Sequence, residues 1–146
     1  MQDSSSIGVA VRLVASRTFP AGILFTMFPE DGDVGPTGNQ EIAGNASGVN
    51  GHLIVWSTVN GIEVNLPLIP NTVEESLMAQ LFQANRGSVS RFPKKDVITM
   101  TVTNPVTGVI KTYKNGAVKN GPVGNQYGLD GRIKSKVYGF VFEDVI

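Results

Sequence analysis

In the segment GRIKSKVYGFVFED every second residue from Arg132 to Phe142 is a cation or an aromatic ring: Arg132, Lys134, Lys136, then Tyr138, Phe140 and Phe142. A strand sends alternate side chains to opposite faces. One face of this strand therefore begins cationic and ends aromatic. Its aromatic end belongs in a core, and its cationic end at a surface or an interface. Residues 96–104, DVITMTVTN, alternate just as cleanly, with Ile98, Met100 and Val102 against Thr99, Thr101 and Thr103.

The remaining segments fit the same architecture. Residues 7–14 read as a strand through Val9, Val11 and Leu13. Residues 17–28 read as another, which Pro20 confines to an edge or a bend. Asn60-Gly61 between apolar runs is a hairpin signal. A two-residue turn there would pair Ser57 with Val64, Val55 with Leu66 and Leu53 with Leu68. Asn115-Gly116 reads as a second turn, after the run VIKTYK. One helix is expected over 73–85, where Val73, Leu77, Met78, Leu81 and Phe82 recur at helical spacing. Thr72 and Glu75 supply the N-terminal capping pattern. The expectation is one mainly β domain over residues 1–146, an antiparallel sandwich or barrel with one flanking helix.

Residues 29–51 break this rhythm. They are rich in Gly, Asn and Asp and hold few apolar residues. A connection this long is functional or disordered more often than it is a plain linker. The two readings are a mobile loop and an arm that reaches a neighbour.

Charge is segregated along the chain. Between residues 18 and 85 there are seven acids and no Lys or Arg: Glu30, Asp31, Asp33, Glu41, Glu63, Glu74 and Glu75. Between residues 86 and 136 there are ten bases against Asp96 and Asp130, although the whole chain is formally neutral. Either the halves fold onto each other, or the acidic surface of one subunit meets the basic surface of the next. The second arrangement is heterologous and builds rings or filaments. It nominates Arg132, Lys134 and Lys136 on one side of an interface, with Glu30, Asp31 and Asp33 on the other. Trp56 lies on the mixed face of the expected hairpin.

No catalytic pattern is present. The single histidine, His52, has no second ligand nearby in sequence, and there is no cysteine. Asp31-Gly32-Asp33 starts like a calcium loop, but Pro36 and Ile42 stand where Gly and Glu are needed. No nucleotide-binding or serine-hydrolase motif occurs. The sequence calls for no cofactor, no metal and no catalytic residue. The polar start MQDSSS lacks the pattern of a signal peptide and no apolar run approaches a membrane span, so the expectation is a protein made in a cytoplasm.

Three stretches, NGHLIVWS, NRGSVSRFPKKDVITMTV and GRIKSKVYGFVFED, together resemble the tail tube proteins of contractile-tailed bacteriophages. The resemblance covers residues 8–143. It implies a β fold with one flanking helix, six copies per ring, and rings stacked into a tube that conducts double-stranded DNA. It also implies residence in the virion tail, with a sheath protein and baseplate or terminator proteins as partners. Duplex DNA would pass without tight binding, so the lumen should lack a basic track. Two polar rows qualify as its lining: Glu63 with Asn65, and Thr99 with Thr101 and Thr103. The alternatives are a secretion-system tube that passes protein, and a carbohydrate-binding β module with Trp56 as its platform.

Overall fold

The computed structural model describes residues 8–29 and 32–146. In chain order the elements are β1 (Ala10–Ala15), β2 (Phe19–Phe25), β3 (Gly35–Pro36), β4 (Ala43–Ser47), β5 (Leu53–Ser57), β6 (Ile62–Leu68), α1 (Val73–Asn85), β7 (Ile98–Asn104), β8 (Val109–Asn120) and β9 (Lys136–Val145). Seven strands form one sheet in the order β2-β1-β7-β8-β9-β6-β3, and β4 and β5 form a separate two-stranded sheet. The large sheet is antiparallel at each pairing and is not closed into a barrel. Strand β2, with Pro20, occupies an edge, where a missing N–H breaks no ladder.

The core lies on one face of this sheet. Val11, Leu13, Ile98, Met100, Val64, Leu66, Tyr138, Phe140 and Phe142 are all buried in it. The aromatic end of the opening motif is thus inside, as its alternation requires. Helix α1 adds Met78 and Leu81, and the ring edge of Phe82 meets Tyr138 at a centroid distance of 5.9 Å. Val73 is exposed, so the buried stripe runs instead through Glu75, Met78 and Leu81. Thr72 caps the helix by accepting a hydrogen bond from the Glu75 amide at 3.2 Å. Among the described residues no helix is long and apolar enough to cross a membrane.

Two expected turns are absent. Strand β6 does not pair with β5 across Asn60-Gly61. It pairs with β9, setting Val64 against Phe140 and Leu66 against Tyr138, while β5 pairs with β4. Cross-strand contacts between aliphatic and aromatic residues stabilise a sheet more than Ser57 opposite Val64 could. Gly61 is small for another reason: a Cβ there would lie 2.8 Å from Val141 Cγ2. Asn115-Gly116 likewise lies inside β8. Asn115 adopts φ 53°, and the β7–β8 register slips there, so the pair forms a bulge rather than a turn. A Cβ at Gly116 would fall 2.2 Å from the Phe142 ring.

Candidate assembly interface

The segment expected as a loop or arm contains structure. After β3, the chain builds the hairpin β4–β5, with Gly44 opposite Trp56 and Ala46 opposite Ile54. Its turn is closed by hydrogen bonds from Gly48 N to His52 O at 2.7 Å and from Gly51 N to Gly48 O at 2.9 Å. The base is tied to the chain that follows: Thr58 N donates to Ile42 O at 3.0 Å, and Thr58 Oγ1 to Glu41 O at 3.1 Å.

Among the described residues no layer covers this hairpin. Leu53, Ile54, Val55 and Trp56 are each at least 50% exposed, on both faces of the strand. The Trp56 indole lies on Gly44, where an added Cβ would come within 2.4 Å of Nε1. Four consecutive apolar residues with no core beneath them make this hairpin the candidate interaction surface. Below the hairpin, Gln40, Glu41, Asn60, Glu63, Lys111 and Tyr113 help to line a cleft of about 570 Å³. Burial pushes the Tyr113 phenol above its usual pKa.

The nominated interface residues fare differently. Arg132 and Lys134 are exposed, in the turn-rich stretch before β9. There Arg132 N bonds Asp130 Oδ1 at 3.2 Å, and Lys134 N bonds Gln126 O at 2.8 Å. Lys136 does not reach outward. Its ammonium lies 2.7 Å from Glu75 Oε1 of the same chain, and both side chains are nearly buried. Tyr138 Oη donates to the same carboxylate oxygen at 3.2 Å. Burial, then the Glu75 charge and this hydrogen bond, push the Tyr138 phenol well above its usual pKa. Asp33 is exposed beside β3, whereas Glu30 and Asp31 lie outside the described residues.

The two candidate lumen rows both project from the face of the large sheet opposite the core. Thr99 and Thr101 alternate with buried Ile98 and Met100, and Thr103 continues their row. Glu63 and Asn65 flank buried Val64. The first row is not free of charge, because Arg12 is the cross-strand partner of Thr101. The second is not acidic, because Glu63 forms an ion pair with Lys119.

One polar centre has no local signal in the sequence. Asp96, buried, accepts from Arg17 N at 2.7 Å, Thr18 N at 3.0 Å, Thr18 Oγ1 at 2.5 Å and Asn85 Nδ2 at 2.9 Å. Its own amide donates to Asn85 Oδ1 at 2.8 Å. Desolvation pushes its pKa up, but the hydrogen bonds from Thr18, Asn85 and the Arg17 amide outweigh it and hold the carboxyl below its usual value. This cluster locks the end of α1 to the β1–β2 turn.

A family model described as tail fiber protein gp32 matches residues 2–146. The chain belongs to this family. Its fold recurs in contractile injection particles. The PVC sheath/tube terminator of an extracellular contractile injection system, in the extended state, matches with a TM-score of 0.57 at 13% identity, over 100% of this chain and 96% of that chain. A chain of the anti-feeding prophage baseplate matches with a TM-score of 0.62 at 10% identity, over 100% and 95%. A chain of the PVC sheath–tube complex matches with a TM-score of 0.54 at 14% identity, over 93% and 86%. No curated protein sequence matches. The resemblance stated from the sequence therefore holds at the level of a tail protein family with a fold shared by chains of contractile injection particles; the matching family is described as tail fiber protein gp32, not as a tail tube family.

Proposed function

We propose that the chain is a ring-forming structural subunit of a contractile tail, six copies closing one ring of the tube or of its terminal layers. The bare hairpin β4–β5 carries this reading. An isolated subunit leaves Leu53, Ile54, Val55 and Trp56 in water, and a neighbouring subunit removes them from it. The fold supports it too, since it spans nearly the full length of chains from terminator and baseplate assemblies. A fibre shaft would favour an elongated or repetitive chain, whereas this one folds around a single continuous core. In the assembled tail the protein works beside sheath, tube and baseplate proteins and resides in the virion. Stacked rings would enclose a conduit for double-stranded DNA, with the outward rows of Thr99, Thr101 and Thr103 or of Glu63 and Asn65 as candidate linings.

Negative-stain microscopy of the purified full chain tests the reading. Six-fold rings or short tubes are the expected result. A chain that stays strictly monomeric up to millimolar concentration overturns it. The conduit is tested by Thr101→Lys and Asn65→Lys in an ejection assay. Slower DNA release is expected, and an unchanged rate removes both rows from the lumen.

A further inference from the structure

The described acids of the first half divide into two groups. Glu63 pairs with Lys119, Glu75 pairs with Lys136, and Glu74 accepts from the Thr26 and Met27 amides at 2.9–3.1 Å. Asp33 and Glu41 remain exposed, and neither ion pair found among the described residues includes them. Glu41 adjoins the uncovered hairpin, where Ile42, 74% exposed, follows it directly; Asp33 precedes β3, beside the Pro67 end of β6.

The opposite composition occurs after α1. Ser88 and Arg91 exchange backbone hydrogen bonds of 3.0 and 3.2 Å, making a tight turn. Arg91 Nη2 donates to Gln83 O at 2.6 Å and Arg86 O at 3.2 Å, and Lys94 N donates to Ala84 O at 3.0 Å. The result is a fixed knob rather than a slack loop. It carries Arg86, Arg91, Lys94 and Lys95, and between them Val89 and Phe92 are almost wholly exposed. The nearest acid in sequence, Asp96, is turned inward onto Thr18 and Asn85 and neutralises none of these cations.

We infer that the knob at residues 86–95 docks the hairpin of a second copy of this chain. An apolar centre with a basic rim would meet an apolar hairpin whose base carries the exposed acid Glu41. Interfaces have such apolar centres and polar rims, and charge complementarity sets their register. The two surfaces differ, so the contact is heterologous and repeats head to tail, as a ring or a stack requires. Val89 and Phe92 favour a protein partner over a nucleic acid, because a surface built only for phosphates has no use for two bare apolar side chains among its cations. This inference rests on the ring reading above and names the surfaces that make the contact.

The test is a charge exchange in the full chain, read by sedimentation velocity and microscopy. Arg86→Glu with Lys94→Glu reverses the knob, and Glu41→Lys reverses the acid at the hairpin base; all three side chains are exposed. Each reversed protein alone should associate at least tenfold more weakly than the wild type. An equimolar mixture of the two should regain association, which a folding defect could not produce. If the wild type assembles and either reversal leaves its association within twofold, the knob contact is wrong while the ring stands. If the wild type never associates, both readings fall. If the knob reversal abolishes binding to a duplex oligonucleotide and leaves association untouched, the knob is a nucleic-acid surface and the inference is overturned.

Discussion

Glu75 Oε1 and Lys136 Nζ meet at 2.7 Å beneath the first turn of α1, and the hydroxyl of Tyr138 shares the same oxygen. The contact joins the helix to the first residue of the strand whose aromatic face fills the core. A buried pair of this kind is costly to break, because the survivor keeps a charge without a partner. Glu75→Ala should therefore lower unfolding stability by about 3–5 kcal/mol. Glu75→Leu with Lys136→Met should restore most of the loss, since apolar replacement of a whole buried pair is often neutral. Urea midpoints of the single and double variants check this. A double variant as weak as the single one would refute the account.

Asp96 predicts an acid limb of stability. Its carboxyl is held below the usual value in the folded chain, so it binds protons less readily folded than unfolded. The resulting stability is fully present above the unfolded pKa of about 3.9 and is lost as pH falls through the lower folded value. Asp96→Asn keeps the shape but removes this dependence and presents one NH₂ to the backbone donors. It should cost about 1–3 kcal/mol at pH 7. Melting temperatures between pH 6 and 2 should fall less steeply for the variant than for the wild type.

Local signals in the sequence were legible where local physics decides the outcome. Thr72 as cap, the limits of α1 and the buried rings of Tyr138, Phe140 and Phe142 follow from capping chemistry and from alternation. Partner choice between strands was not local. Asn60-Gly61 carries the dipeptide of a tight hairpin, yet β9 offers β6 three aromatic partners that β5 cannot match. Gly61 and Gly116 read as turn residues, while in the fold each makes room for a side chain of β9. For the candidate interface, the charge segregation pointed to paired surfaces. It could not say that Lys136 would find Glu75 in its own chain, because those residues are 61 positions apart and meet only through the core. The Asp96 cluster was missed for the same reason: Thr18 lies 78 positions away and supplies no spacing rule.

Gly116 offers a direct test of that packing. Gly116→Ala would place a methyl 2.2 Å from Phe142 Cδ1, in a strand already bent by the left-handed Asn115. Either the ring leaves its position between Tyr113 and Phe140 or the bulge opens. Overpacking of this kind costs about 1–3 kcal/mol. A chemical-denaturation midpoint measures it. A variant as stable as the wild type would mean that β8 slides to relieve the contact.

Trp56 is the only tryptophan and stands on the uncovered hairpin, half exposed, with its indole against Gly44. Its fluorescence therefore reports the hairpin alone. In the free subunit the emission maximum should sit toward the red, as for an indole in contact with water. As concentration drives association, the maximum should move to the blue in parallel with the sedimentation coefficient, because the ring loses that water to a neighbour. Gly44→Val should lift the indole off its seat and weaken association, yet leave the melting temperature nearly unchanged, since the hairpin adds nothing to the core cluster. Assembly without any spectral change would place Trp56 outside the contact and move the interface to another part of the sheet.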